Sequence, residues 1–151
     1  MDIVLVNPEI PQNTGSIART CAATETPLHL VGKLGFDISE KSVRRAGLDY
    51  WPYVKLHEHA AFKDYMDSAQ PKTVWLFSKF ASKLYTDVAY DKDDALVFGS
   101  ETKGLGQAFL SQYPTEQIVK IPMTCKAVRS LNLSNAVSIA LYEALRQQNV
   151  V

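Results

Sequence analysis

Cysteine is scarce in this chain: among its 151 residues there are only Cys21 and Cys125, far apart and in no C-x-x-C pair. That excludes a disulfide framework and a thiolate zinc cluster, and both side chains read as reduced thiols. Histidine is scarce too, with three in all. His57 and His59 stand one residue apart and read as solvent-facing polar side chains, so no zinc ligand set is expected, nor any other metal site. No run of about 18 apolar residues occurs, which excludes a membrane-spanning helix. The first residues, Met1-Asp-Ile-Val-Leu-Val6, lack a basic leader and pass directly into a strand, so a signal peptide is not expected and a cytoplasmic location is. Excess charge of one sign is also missing, since 16 basic and 16 acidic residues cancel. A strongly basic balance, the usual footprint of nucleic-acid binding, is therefore absent overall. The basic residues are unevenly placed, however. Lys41, Arg44 and Arg45 form one cluster and Lys120, Lys126 and Arg129 another, while acids gather at Asp87 and around Asp91–Asp94. Each cluster alone fits a solvated face; two together favour a polyanionic partner.

What is present is 46% hydrophobic residues in a length that suits one domain over residues 1–151 with a real core. Strand and helix patterns alternate. Asp2–Val6, Pro27–Val31, Val54–His57, Thr73–Ser78, Ala95–Gly99 and Gln117–Ile121 read as strands. Helices are expected over Thr14–Thr24 with Asn13 or Thr14 as N-cap, over Ser39–Gly47, Glu58–Ala69 and Leu105–Gln112, and over Leu133–Gln148. The last carries Leu133, Val137, Ala140, Leu141, Ala144 and Leu145 at three- and four-residue spacing. The alternation implies an α/β fold, a mostly parallel sheet with helices on both faces.

Two segments of the last third carry the functional signal. Leu96-Val-Phe-Gly-Ser-Glu-Thr-Lys-Gly-Leu-Gly106 and Ile121-Pro-Met-Thr-Cys-Lys-Ala-Val-Arg-Ser-Leu-Asn-Leu-Ser-Asn135 both pass from a buried strand into a small, polar loop. Adjacent strand exits make a crevice rich in free backbone groups, the place where open α/β sheets bind ligands. Familiar nucleotide motifs nearly fit and then fail. Gly99 and Gly104 have phosphate-loop spacing, but Leu105 stands where the lysine must be. Gly104-Leu-Gly106 lacks the third glycine of a dinucleotide fingerprint. An isolated glycine pair also serves simply to shape a turn. A third constellation, Asn7-Pro-Glu-Ile-Pro-Gln-Asn13 followed by Arg19, lies at the exit of the first strand.

Taken together, Asn13 and Arg19, Phe98-Gly-Ser-Glu101 with Gly104, and Ile121-Pro-Met with Arg129-Ser-Leu-Asn-Leu-Ser-Asn135 resemble the three motifs of the SPOUT class of RNA 2'-O-ribose methyltransferases. Asn7–Gly15 and Arg44-Arg-Ala-Gly-Leu-Asp-Tyr50 are similar to the small subfamily that methylates the tRNA wobble position, cytidine or uridine 34. The stretch Thr124–Arg129 is one residue longer than is usual there.

The resemblance implies a C-terminal trefoil knot, which general rules of chain topology would reject. It implies S-adenosyl-L-methionine (AdoMet) as cofactor, no metal, a homodimer, and the anticodon stem-loop of tRNA as substrate. By the same resemblance Arg19, Asn13, Ser130 and Asn132 are the catalytic candidates. Phe77, Gly99, Glu101, Gly104, Ile121, Ser130 and Leu131 would hold the cofactor, with Glu101 fixing loops through backbone N–H groups. Arg44, Arg45, Lys126, Arg129 and Tyr142 would meet RNA. Guanidinium groups stay charged at neutral pH, so Arg19 suits gripping a phosphate and stabilising a developing alkoxide better than removing a proton. A nucleotide or dinucleotide enzyme and a non-catalytic RNA-binding module are the alternatives, separated from this reading by binding of NAD against AdoMet and by methyl transfer. Within the enzyme class, ribosomal RNA or another tRNA position is the open alternative.

Overall fold

The computed structural model describes residues 1–39 and 49–151. The helix expected over Ser39–Gly47, and with it Arg44 and Arg45, falls outside the described residues apart from Ser39. Seven strands are present among the described residues: β1 Asp2–Val6, β2 Leu28–Val31, β3 Leu56–His59, β4 Val74–Phe77, β5 Lys83–Leu84, β6 Ala95–Phe98 and β7 Ile118–Lys120. They form one sheet in the order β3-β2-β1-β6-β4-β7-β5, and every pairing is parallel. The fold class expected from the alternation is the one found, with the parallel pattern complete. β6 lies between β1 and β4, and all four of its residues are buried, as a strand covered on both faces requires.

The helices are α1 Pro11–Ala23, α2 Phe62–Ala69, α3 Gln107–Leu110 and α4 Leu133–Gln147. Alternate β1 residues point to opposite faces. Ile3 and Leu5 pack with Ile17 and Cys21 of α1 and with Val137 and Leu141 of α4. Val4 packs with Tyr65 of α2 and Leu110 of α3. The spacing read in the last helix is thus its inward stripe, with Val137, Ala140, Leu141, Ala144 and Leu145 buried.

α1 begins three residues earlier than expected. Pro11 occupies its first turn, where a missing N–H costs nothing and the ring presets φ. Ile10 is the N-cap and no side chain caps it, so Asn13 is not a cap but a first-turn residue with its amide free for other work. Asn132 does cap with its side chain: its Oδ1 accepts from Ser134 N at 2.9 Å and Asn135 N at 3.4 Å and starts α4. β3 and α2 begin two and four residues later than the sequence pattern suggested, and β5 was not anticipated; at two residues it is too short to show a period.

His57 and His59 behave differently from the expectation. His57 is exposed, but His59 is half-buried, with Nε2 at 2.9 Å from Nδ1 of His29, a buried residue of β2. The rings of His57 and His59 stack on His29 at centroid distances of 4.8 and 5.2 Å. Nε2 of His29 lies 3.5 Å from the Asp2 carboxylate, to which the Tyr65 hydroxyl donates at 3.0 Å. Burial and then the neighbouring His29 and His57 lower the pKa of His59, against Asp64. A group with its folded pKa below its unfolded one stabilises fully above the unfolded value and loses that contribution as pH falls. Thermal stability is therefore expected to decline as pH drops below the ordinary imidazole value of 6.5. His59→Gln should flatten that decline in a pH series of melting curves; an unchanged slope would remove His59 from the account.

Candidate cofactor and RNA site

Four neighbouring strands, β1, β6, β4 and β7, end on one edge of the sheet, and the loops leaving them enclose a cavity of about 650 Å³. Its walls bring together residues that are far apart in sequence: Asn13, Phe77, Gly99, Glu101, Gly104 and Ile121 all line it, as do Ser130, Leu131 and Asn132. Phe77 and Phe98 stack at its base, with centroids 4.5 Å apart and planes 17° from parallel.

The glycines of the first loop have distinct tasks. Gly99 meets the returning chain: a Cβ there would sit 2.0 Å from the Gly104 carbonyl carbon and 2.2 Å from Leu105 N. Gly104 and Gly106 have φ of +64° and +81°, the region where glycine carries no penalty, and open space where a Cβ would be. The loop folds back on itself through Gly104 N donating to Ser100 O at 2.9 Å.

Carboxylates lock this loop to the one after β1. Glu101 Oε2 accepts from Glu9 N at 2.8 Å, and its Oε1 accepts from Ile10 N at 3.1 Å and Asn13 Nδ2 at 3.2 Å. Glu9 returns the contact, accepting from Thr102 N at 3.1 Å and from the Thr102 hydroxyl at 2.9 Å. Asn132 Nδ2 then donates to Asn13 Oδ1 at 2.9 Å. One hydrogen-bonded chain therefore joins the three loops, from Thr102 through Glu9, Glu101 and Asn13 to the start of α4. Such charge-assisted bonds hold a rigid cavity rim. Glu9 and Thr102 were not singled out in the sequence; the one signal was a lone acid in the otherwise uncharged Asn7–Asn13 loop.

The catalytic candidate Arg19 and the described RNA-facing candidates stand apart from the cavity. Arg19 is exposed on α1 and does not line the cavity; its guanidinium lies 4.6 Å over the Tyr50 ring. Tyr50 is anchored by its hydroxyl donating to Gly15 O at 2.6 Å. Lys126 and Arg129 are exposed on the 121–132 loop, and Tyr142 is 48% exposed on α4; none of the three lines the cavity. The cavity rim instead carries Lys79, Lys103 and Lys120. Of the cysteines, Cys21 is wholly buried, which pushes its thiol up to about 12, and Cys125 is exposed in the 121–132 loop. Among the described residues no cluster of three or more His, Cys, Asp or Glu is arranged to hold a metal ion, and no helix is long and apolar enough to cross a membrane.

Residues 1–142 match the SpoU rRNA Methylase family. A tRNA (cytidine(34)-2'-O)-methyltransferase of Yersinia pestis is 44% identical over 152 residues, covering 97% of this chain and 93% of that protein. A tRNA (cytidine(34)-2'-O)-methyltransferase of Saccharophagus degradans is 42% identical, covering 97% of this chain and 94% of its own. A structure solved for insight into 2-OH methylation of C/U34 on tRNA has a TM-score of 0.88 at 43% identity, covering 98% of this chain and 95% of that one. The SpoU methyltransferase AviRb of Streptomyces viridochromogenes, in complex with the cofactor AdoMet, has a TM-score of 0.81 at 26% identity, covering 100% of this chain and 61% of its own. With three loops joined around a strand-end cavity and a match that spans nearly its whole length, this chain belongs to the SpoU methylase family.

Proposed function

We propose that this chain is an AdoMet-dependent methyltransferase acting on the ribose 2'-hydroxyl of tRNA nucleotide 34, a cytidine or uridine. The observation that carries the reading is the 44% identity to the Yersinia pestis tRNA (cytidine(34)-2'-O)-methyltransferase over 97% of this chain. The cavity supports it chemically. Stacked Phe77 and Phe98 and the side chain of Ile121 form an apolar wall suited to an adenine, and the open side of Gly104 and Gly106 admits polar ligand atoms close to backbone. When bound, AdoMet supplies a methyl group on a positively charged sulfur. The chain's own residues have to place the ribose hydroxyl, exclude water and stabilise the oxygen as it loses its proton. Ser130 and Asn132 orient cofactor and ribose from the rim, and Asn13 is held for the same purpose between Glu101 and Asn132. Arg19, exposed on α1 beside Tyr50, grips a phosphate and offsets the developing charge. Orientation of this kind supplies much of the rate, because it removes the entropic cost of bringing the groups together.

The working unit in this reading is a cytoplasmic homodimer, each chain one SPOUT methyltransferase domain with its C-terminal segment knotted. Support comes from α4, which keeps Ile139 and Tyr142 39% and 48% exposed on a helix that buries Val137, Ala140, Leu141, Ala144 and Leu145. A dimer pools the Arg44, Arg45, Lys126 and Arg129 charges of two neutral chains, and phosphate contacts scale with the cations offered. Incubating the protein with labelled AdoMet, tRNA and excess chelator, then mapping the product, tests the function: label on the 2'-oxygen of nucleotide 34 is expected. Label elsewhere would reassign the substrate, and label lost to chelation would add a metal. Sedimentation at micromolar concentration should give twice the chain mass.

A further inference from the structure

The turn after β4 holds an unexplained side chain. Phe80 is 71% exposed, although it lies on the rim of the cavity. Its position is fixed rather than floppy. Ser78 N donates to Val119 O of β7 at 2.9 Å, Ala81 N to Ser78 O at 3.2 Å, and Phe80 N to Ser78 Oγ at 3.3 Å. Ala81 is buried, so both flanks of the turn are pinned and the ring is held out at its tip. Lys79 lies against it, with Nζ 5.2 Å from the ring centroid.

Resting on the function proposed above, we propose that Phe80 is a stacking platform for a base of the RNA next to the methylated nucleotide, with Lys79 on the adjoining phosphate. An exposed flat aromatic beside a cation is the unit that single-stranded nucleic acid requires, a face for the base and a charge for the backbone. The charge around the cavity selects RNA over the cofactor as occupant. Lys79, Lys103 and Lys120 stand at the rim, and the only acid among the described lining residues, Glu101, already accepts from two backbone N–H groups and Asn13. AdoMet offers one carboxylate against a sulfonium and an ammonium, so its net positive charge makes little use of three lysines, whereas a polyanion can use them all. The cavity interior also has its own aromatic surface in Phe77 and Phe98, so Phe80 is not needed to wall in an adenine.

Stacking losses of this class correspond to roughly 5- to 150-fold in affinity. Phe80→Ala and Phe80→Leu are expected to raise KM for tRNA at least fivefold and to leave kcat at saturating tRNA and the AdoMet dissociation constant within twofold. Phe80→Trp should restore KM, because it keeps the ring face, and leucine should not, because it keeps only apolarity. The Phe80→Trp chain also gives a direct reading: an anticodon stem-loop RNA should quench its fluorescence more than that of the wild type, which carries Trp51 and Trp75. Quenching by AdoMet alone, or weaker AdoMet binding with tRNA KM unchanged, would assign the ring to the cofactor and overturn the proposal. So would a leucine variant equal to wild type. Wild-type protein that methylates no tRNA would refute the function itself, while the fluorescence arm would still decide whether Phe80 meets RNA.

Discussion

Replacing Arg19 by alanine is expected to lower methyl transfer by about 10²- to 10³-fold, the usual effect of removing one donor aimed at developing negative charge. AdoMet affinity should remain within twofold, because Arg19 does not line the cavity and takes no part in the bonds that join its loops. Arg19→Lys should rescue little. Lysine keeps the charge but loses the planar fork that grips phosphate with two parallel bonds and lies flat on the Tyr50 ring. Single-turnover rates with calorimetric AdoMet titration make the comparison; wild-type turnover in Arg19→Ala would remove Arg19 from the chemistry. Because Arg19 stands away from the cavity of its own chain, its use in trans has a direct test. An Arg19→Ala chain mixed with an Arg129→Ala chain should recover part of the activity that each lacks alone if RNA is held across two protomers, and none if each chain works by itself.

Gly99→Ala is expected to destabilise the protein by about 3 kcal/mol or more, since the added methyl overlaps backbone atoms that have no rotamer to relax into. For a chain of this size that is a fall in Tm of about 6–12 °C. AdoMet affinity should fall as well, because Gly104 and Leu105 must retreat by over an ångström from a Cβ that would stand 2.0 and 2.2 Å from them. Gly104→Ala provides the contrast. Its Cβ would meet nothing within 4 Å, and only the φ of +64° is unfavourable, so about 1–2 kcal/mol is expected. Equal losses in the two variants would show that close approach at Gly99 is not what the loop depends on.

The parts of this molecule that were legible in its sequence are those governed by local period and by loop composition. Continuous apolar residues at Ala95–Phe98 announced a strand buried on both faces, and the stripe from Val137 to Leu145 announced a helix packed on one side. The glycine-rich loop and the Arg129–Asn135 run were recognisable because small residues and caps leave a signature at fixed spacing. The links between them were not. Nothing in the composition of Asn7–Asn13 says that Glu9 will bind Thr102, 93 positions away, or that Asn13 will turn from capping its own helix to bridging Glu101 and Asn132. Such contacts depend on strand order, and the order places β7 between β4 and β5, two strands that precede it in the chain. The histidine stack illustrates the same point. His29 pairs with His57 only because β2 and β3 run parallel in that register, and a spacing argument made within one strand misses it.

The scarcity of cysteine has a practical consequence. Thiol reagents act on thiolates that they can reach. Cys21 offers neither ionisation nor access, whereas Cys125 lies exposed between Ile121 and Ser130, two residues of the cavity wall. The chain therefore carries a single addressable handle on a segment whose two ends line the cavity. A maleimide dye at Cys125 would turn the unmodified sequence into its own optical titration sensor, with Cys21 silent as long as the fold is intact and newly reactive when it opens.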